Sequence, residues 1–350
     1  MTVDAASMGA LLAFFAGILN GTYTLAMRFL GKWEWENVWL LFTLVCCLIL
    51  PGAIVLLTVS SPFAIVAQAP SGAILAALVS GGLWGFGAIL FGQSVSAIGI
   101  SLTNTIVLAL SAALGSVLSM IVLNASSLTS AHGKLVLLGT AVAIAGMVAS
   151  GVAGSLREQN RKTLNCVEEE GEGSLVGRRR PVRIGILMCI GAGVLSAIFN
   201  IGFSMAQPLI ATAVRAGQTA TAGANLVWLL MLGSGAIVNI AFCAYLLIKN
   251  NSAGKFFLRG GIRLYTLCAL MGLFWWGSIF IYGEASSRLG PLGPAIGWPL
   301  FLSTGLLVSN VCGILTGEWR STTAKTRWWV AGGLATLVIA ILVLGKAGAM

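Results

Sequence analysis

The sequence predicts an all-α membrane protein whose ten transmembrane helices form an inverted-topology 5+5 repeat. Three observations predict it. The 350 residues are 58% hydrophobic and only 9% charged, whereas a soluble domain carries about a quarter charged residues. Windows of about 20 apolar residues, long enough to cross a bilayer, recur along the whole chain. Finally, the chain repeats itself: GLWGFGAILFGQSVSAIGIS at 82–101 returns 191 positions later as LFWWGSIFIYGEASSRLGPL. In that register Trp84 meets Trp275, Phe91 meets Tyr282, Gly92 meets Gly283, Gln93 meets Glu284 and Gly99 meets Gly290.

The apolar windows place spans at 8–28, 37–59, 71–93, 99–123 and 134–154, then at 184–206, 224–248, 264–285, 291–317 and 328–346. Between the two groups lies SLREQNRKTLNCVEEEGEGSLVGRRRPVR at 155–183. It has no apolar periodicity, and its density of charge and glycine predicts a flexible aqueous linker. The halves are therefore 1–154 and 184–350. Five spans is an odd number, so the second half enters the membrane from the opposite side.

The repeat reaches beyond the third and eighth spans. Ala13, Gly17, Asn20 and Thr24 share one face of the first helix, and Cys189, Gly193, Ser196 and Asn200 have the same spacing in the sixth. VWLL occurs at 38–41 and 227–230, and Gly139 and Gly151 recur as Gly333 and Gly345.

Sixteen of the 20 Lys and Arg residues fall in the odd-numbered loops, and four in the even loops and termini. The excess places the linker in the cytoplasm and both termini outside, as in a bacterial-type inner membrane. Because the basic residues lie in loops between spans, the net charge of +10 does not indicate nucleic acid. Six of the seven cysteines lie in apolar runs without metal-ligand spacing and read as helix-packing residues. The first span lacks a basic flank and a small-residue cleavage site, so it reads as a retained helix. No cofactor or metal is expected. One histidine and scattered acids give no clustered catalytic set for an intramembrane enzyme.

The candidate site residues are polar or aromatic side chains inside spans. Asn20, Thr24, Ser196 and Asn200 must find partners where there is no water. They either bond neighbouring helices or line a central cavity and hold a polar solute. Trp84 and Trp275 lie several residues inside their spans, with Trp276 beside the second and Trp298 in the ninth. A flat ring with one N–H donor suits the CH face of a sugar, and plain packing against glycine is the other reading. Trp84 and Gln93 are nine residues apart, hence on opposite helix faces, as are Trp275 and Glu284. Pro291, Pro294 and Pro299 break the ninth span, as happens where a helix lines a cavity or packs deep in the protein. Glu34, Glu36 and Glu318 read as solvated mouth residues. Glu284 is the acid inside a predicted span. It is either the proton-coupling group or an i,i+4 partner of Arg288.

With these residues in view, the chain resembles the L-rhamnose–proton symporter family of the drug/metabolite transporter superfamily. The resemblance runs over nearly the whole length. It rests on KWEWENVW at 32–39, GGLWGFG at 81–87, GLFWW at 272–276, GSGAIVNIAFC at 233–243 and GEW at 317–319. It departs from that family at Ala88 and Ser278, where the family carries Asn and Gln. The resemblance implies a ten-helix inner-membrane carrier that moves L-rhamnose or a related deoxysugar with protons. Its partners would be that sugar, protons and the bilayer, and its oligomeric state stays open. The runner-up is a carrier or exporter of the same superfamily for another small metabolite or amino acid.

Overall fold

The computed structural model describes residues 5–31, 33–165, 181–257, 261–320 and 322–350. The described residues contain ten helices long and apolar enough to span a bilayer, and no strand. They are α1 (Ala5–Thr22), α2 (Trp35–Thr58), α3 (Ser71–Val95), α4 (Ser101–Thr129), α5 (Ala131–Asn160), α6 (Val182–Arg215), α7 (Ala220–Lys249), α8 (Gly261–Arg288), α9 (Gly290–Leu315) and α10 (Ala324–Gly348).

Several boundaries differ from the sequence reading, and α6 runs on to Arg215 instead of ending at 206. The regular turns of α1 stop at Thr22, and Tyr23–Phe29 tighten into a 3-10 helix. The Thr22 hydroxyl donates to the carbonyls of Ile18 and Leu19, competing with the backbone at that turn. At the other end of the first half, the fifth helix runs on to Asn165. The first eleven residues of the expected linker are thus helical, because Leu, Arg, Glu, Gln and Lys are strong helix formers outside the membrane too. The rest of that stretch, 166–180, lies outside the described residues.

In a bilayer, lipid tails are as apolar as leucine, so helices associate through close contact at small residues. Here α3 lies against α6 and α7, and α8 against α1 and α2. Helix α6 crosses α4 as α1 crosses α9, while α5 pairs with α10. Glycines mark these crossings. Gly185 of α6 faces Ile98 at the end of α3, and Gly9 of α1 faces Leu289 at the end of α8. Gly139 of α5 faces Leu344 of α10, Gly146 faces Leu337, and Gly333 of α10 faces Ser150. These pairings make α5 and α10 antiparallel. In the sequence registers, the Gly185 and Gly9 contacts are counterparts, as are those of Gly139 and Gly333.

A tight approach between distant helices is Gly81 of α3, where a Cβ would lie 2.0 Å from the Met231 carbonyl oxygen of α7. That atom is backbone and cannot step aside. Gly81→Ala is therefore expected to lose about 1–3 kcal/mol of stability, in the range of overpacked cores. Thermal unfolding of the detergent-solubilised protein checks it, and an unchanged midpoint would mean that the seam relaxes.

Prolines and positive-φ glycines set the remaining bends. The missing N–H of Pro299 leaves the Ala295 carbonyl without its helical donor. Ser116 of α4 supplies one at 2.7 Å. Gly99 and Gly290, aligned by the repeat, have φ of 87° and 77°, a region that favours glycine. Each begins the helix after a spanning helix ends.

The helix ends form two faces. On the linker face, Arg157 pairs with Glu318 at 2.7 Å. There, Trp33 Nε1 donates to the Lys255 carbonyl and Asn37 Nδ2 to the Ser252 carbonyl. The Ser252 hydroxyl and Asn250 amide both donate to the buried Glu36 carboxylate, at 2.6 and 2.9 Å. The segment entering α2 is thus strapped to the one leaving α7. On the opposite, termini face, the Ser60 N–H donates to Gln218 Oε1.

Candidate functional site

Aromatic rings run through the middle of the protein from one face to the other. At the centre the two repeated tryptophans, Trp84 of α3 and Trp275 of α8, stack with centroids 5.5 Å apart and planes 20° from parallel. Toward the linker face, Trp275 meets Phe42 edge-on, Phe42 meets Trp39, and Trp39 stacks on Trp35. Toward the termini face, Trp84 meets Phe199, which stacks on Trp228, which stacks on Phe203 at 4.2 Å. Trp39 and Trp228 belong to the two VWLL segments, so one ring on each side of the central pair is a repeat counterpart of the other. The two ends of the column differ in burial. Phe199, Phe203, Trp228 and Tyr282 are at most 1% exposed, whereas on the linker side Phe42 is buried but Trp35 and Trp39, like the central Trp84 and Trp275, are half-buried.

A polar cluster flanks the termini-side half. The Asn200 amide of α6 donates to the carbonyls of Gly115 and Pro294 and to the Ser119 hydroxyl, at 3.0–3.2 Å. Its Oδ1 accepts from the hydroxyl of Tyr282. Ser204 also donates to Ser119. A second chain runs from Trp298 Nε1 to Ser111 Oγ at 3.1 Å and on to Ser196 Oγ at 3.0 Å. The structure therefore brings Trp84, Trp275, Ser196, Asn200 and Trp298 into one connected region, with Phe199 joining Trp84 to Trp298.

The other expected residues lie around it. Asn20 sits at the crossing of α1 and α9, against Gly305. It is half-buried and makes no hydrogen bond with its side chain among the described residues. The Thr24 side chain lies outside the described residues. Trp276 is buried and packs on Phe280, off the column. Glu284 faces the termini side, where it pairs with Arg288 four residues on and accepts from the Thr221 hydroxyl of α7. Tyr282, Phe199, Ser111 and Ser119 were not singled out from the sequence. Tyr282 carried a signal, since the repeat pairs it with a phenylalanine. The two serines carried none, because serines are common in spans as packing residues.

Ten apolar helices packed around a shared aromatic and amide core make this a multi-pass membrane protein by architecture. The model of the L-rhamnose-proton symport protein (RhaT) family matches residues 3–349, and this chain belongs to that family. Its function is accordingly transport and not enzymatic catalysis. The L-rhamnose-proton symporters of Citrobacter koseri, Yersinia pestis and Shigella dysenteriae are each 25% identical to it over 321 residues, covering 90% of this chain and 90% of theirs.

Proposed function

We propose that this protein carries L-rhamnose or a closely related deoxysugar together with a proton, along a path between its two halves. The observation that carries this reading is the half-buried Trp84–Trp275 stack, one ring from each copy of the repeated stretch. A tryptophan face suits the CH and methyl groups of a deoxysugar, and its N–H serves one hydroxyl. Asn20 offers an amide with donors and an acceptor both free. Thr24, Ser196, Asn200, Trp276 and Trp298 complete the proposed path, and Glu284 is the proposed proton carrier. The names of the 25%-identical relatives point to the same solute pair.

The halves 1–154 and 184–350 act as an inverted pair in this reading. The exchange of packing partners between α1, α8, α9 and α6, α3, α4 supports it. The membrane is the bacterial-type inner membrane, with linker cytoplasmic and termini periplasmic. An impermeant thiol reagent applied to intact cells should then miss Cys166 and label a cysteine introduced at Ala349. The reverse pattern would overturn the orientation.

Uptake of labelled L-rhamnose and a panel of deoxysugars by cells with and without a pH gradient tests the function. Accumulation of one of these sugars that a protonophore abolishes is the expected result. Transport of an amino acid with no sugar uptake would sink the proposal.

A further inference from the structure

We infer that the Tyr282 hydroxyl on Asn200 is the latch that holds the termini-side half of the path shut, and that Asn225 and Trp228 line that half when it opens. The inference rests on the proposed carrier function, because only a carrier must close one side while the other is open. Tyr282 of α8 donates to Asn200 of α6, and the same amide donates to Gly115 of α4 and Pro294 of α9. One side chain therefore ties four helices together, and both latch residues are fully buried. Each polar position of the Asn200 amide is occupied, so in this state it has nothing to offer a solute.

Independent support lies one layer away. Trp228 Nε1 and Asn225 Oδ1 of α7 are buried and have no hydrogen-bond partner among the described residues. A buried donor and acceptor left unmade are costly, and the cost ends if water or a hydroxyl-bearing solute reaches them. Both belong to the closed half, and Gly283 makes room for the indole: a Cβ there would lie 2.5 Å from its Nε1. An indole with an amide beside it is again the pairing that suits a sugar.

The repeat shows why the latch is one-sided. Phe91 stands where Tyr282 stands in the other half, and Thr24 stands where Asn200 does. Phenylalanine cannot donate, so the linker-side half lacks this bond when it closes. The empty carrier is thereby biased toward the state seen here, with its termini-side rings buried and Trp35 and Trp39 on the linker side half-buried.

The test needs no substrate. Ala224 is buried on α7, one turn before Trp228 and packed near Gly283. In nanodiscs, an Ala224→Cys chain is labelled with a maleimide, and labelling of the chain with Ala224 intact is subtracted. Adding Tyr282→Phe keeps the ring and removes the latch. The labelling rate should rise about five- to tenfold, the factor one buried hydrogen bond is worth, because the open population rises by that factor. Apparent sugar affinity from the termini side should rise with it. Asn200→Ala removes the other end of the bond and must raise labelling too, which keeps the test decisive if Tyr282→Phe folds poorly. Labelling at the unmodified rate in the folded variants overturns the latch. If labelling rises while the unmodified protein transports no sugar, the proposed substrate is wrong and the latch stands.

Discussion

Glu284→Gln is expected to abolish accumulation of sugar against a gradient while leaving exchange of labelled for unlabelled sugar intact. Among the described residues the other acids, Glu34, Glu36, Glu158 and Glu318, lie at the linker face. Glu284 lies toward the termini face, held by Arg288 and by Thr221 of the neighbouring helix. In the proposed coupling, a proton arriving from that face meets this carboxylate, and its binding releases Arg288 and loosens the tie to α7. Glutamine keeps an oxygen for Thr221 but carries no charge in any state. One proton moving down about 100 mV supplies about 2.3 kcal/mol, enough for roughly 50-fold accumulation. In the variant the accumulation ratio should fall from that order to about one. Arg288 offers the competing account, in which the pair is structural. Continued accumulation by Glu284→Gln with an unchanged pH profile would decide for that account.

Removing either central tryptophan is expected to have the next largest effect. Trp84→Ala or Trp275→Ala deletes one ring of the stack and opens a hole in the core. Truncating a buried tryptophan costs about 3–5 kcal/mol of stability and these half-buried rings less, so protein amount must be measured beside transport. Trp275→Phe separates the two contributions. It keeps an aromatic face against Trp84 and loses ring area and the N–H. Affinity should fall about tenfold, the scale of one modest contact difference in a pocket, with protein amount near normal. If both alanine variants accumulate to normal amounts and transport with unchanged affinity, the stack is packing and the solute binds elsewhere.

Much of this was legible in the residues. Trp84 and Trp275 stood out because the same ring recurs at the same place in two copies, and the structure stacks them. Of the glycines that recur in the fifth and tenth spans, Gly139 and Gly333 lie in one antiparallel seam, whereas Gly151 faces Thr105 of α4. Less legible was how the polar positions divide. Asn20 and Asn200 look alike in sequence, as amides on related faces. In the structure one is saturated by partners on three other helices and the other makes no side-chain bond among the described residues, because their neighbours differ. Asn200 faces Ser119, Tyr282 and the Pro294 carbonyl, whereas Asn20 faces Gly305, which brings no side chain.

By itself the sequence determined the ten helices. They follow from composition and order, because apolar length sets a span. Tertiary structure alone decided which polar atoms meet. The Tyr282–Asn200 bond joins residues 82 positions apart, and the Trp298–Ser111 bond joins residues 187 apart. No local pattern encodes such pairs, because a hydrogen bond depends on a few tenths of an ångström and on direction. Only the packed crossing of α4, α6, α8 and α9 sets those distances.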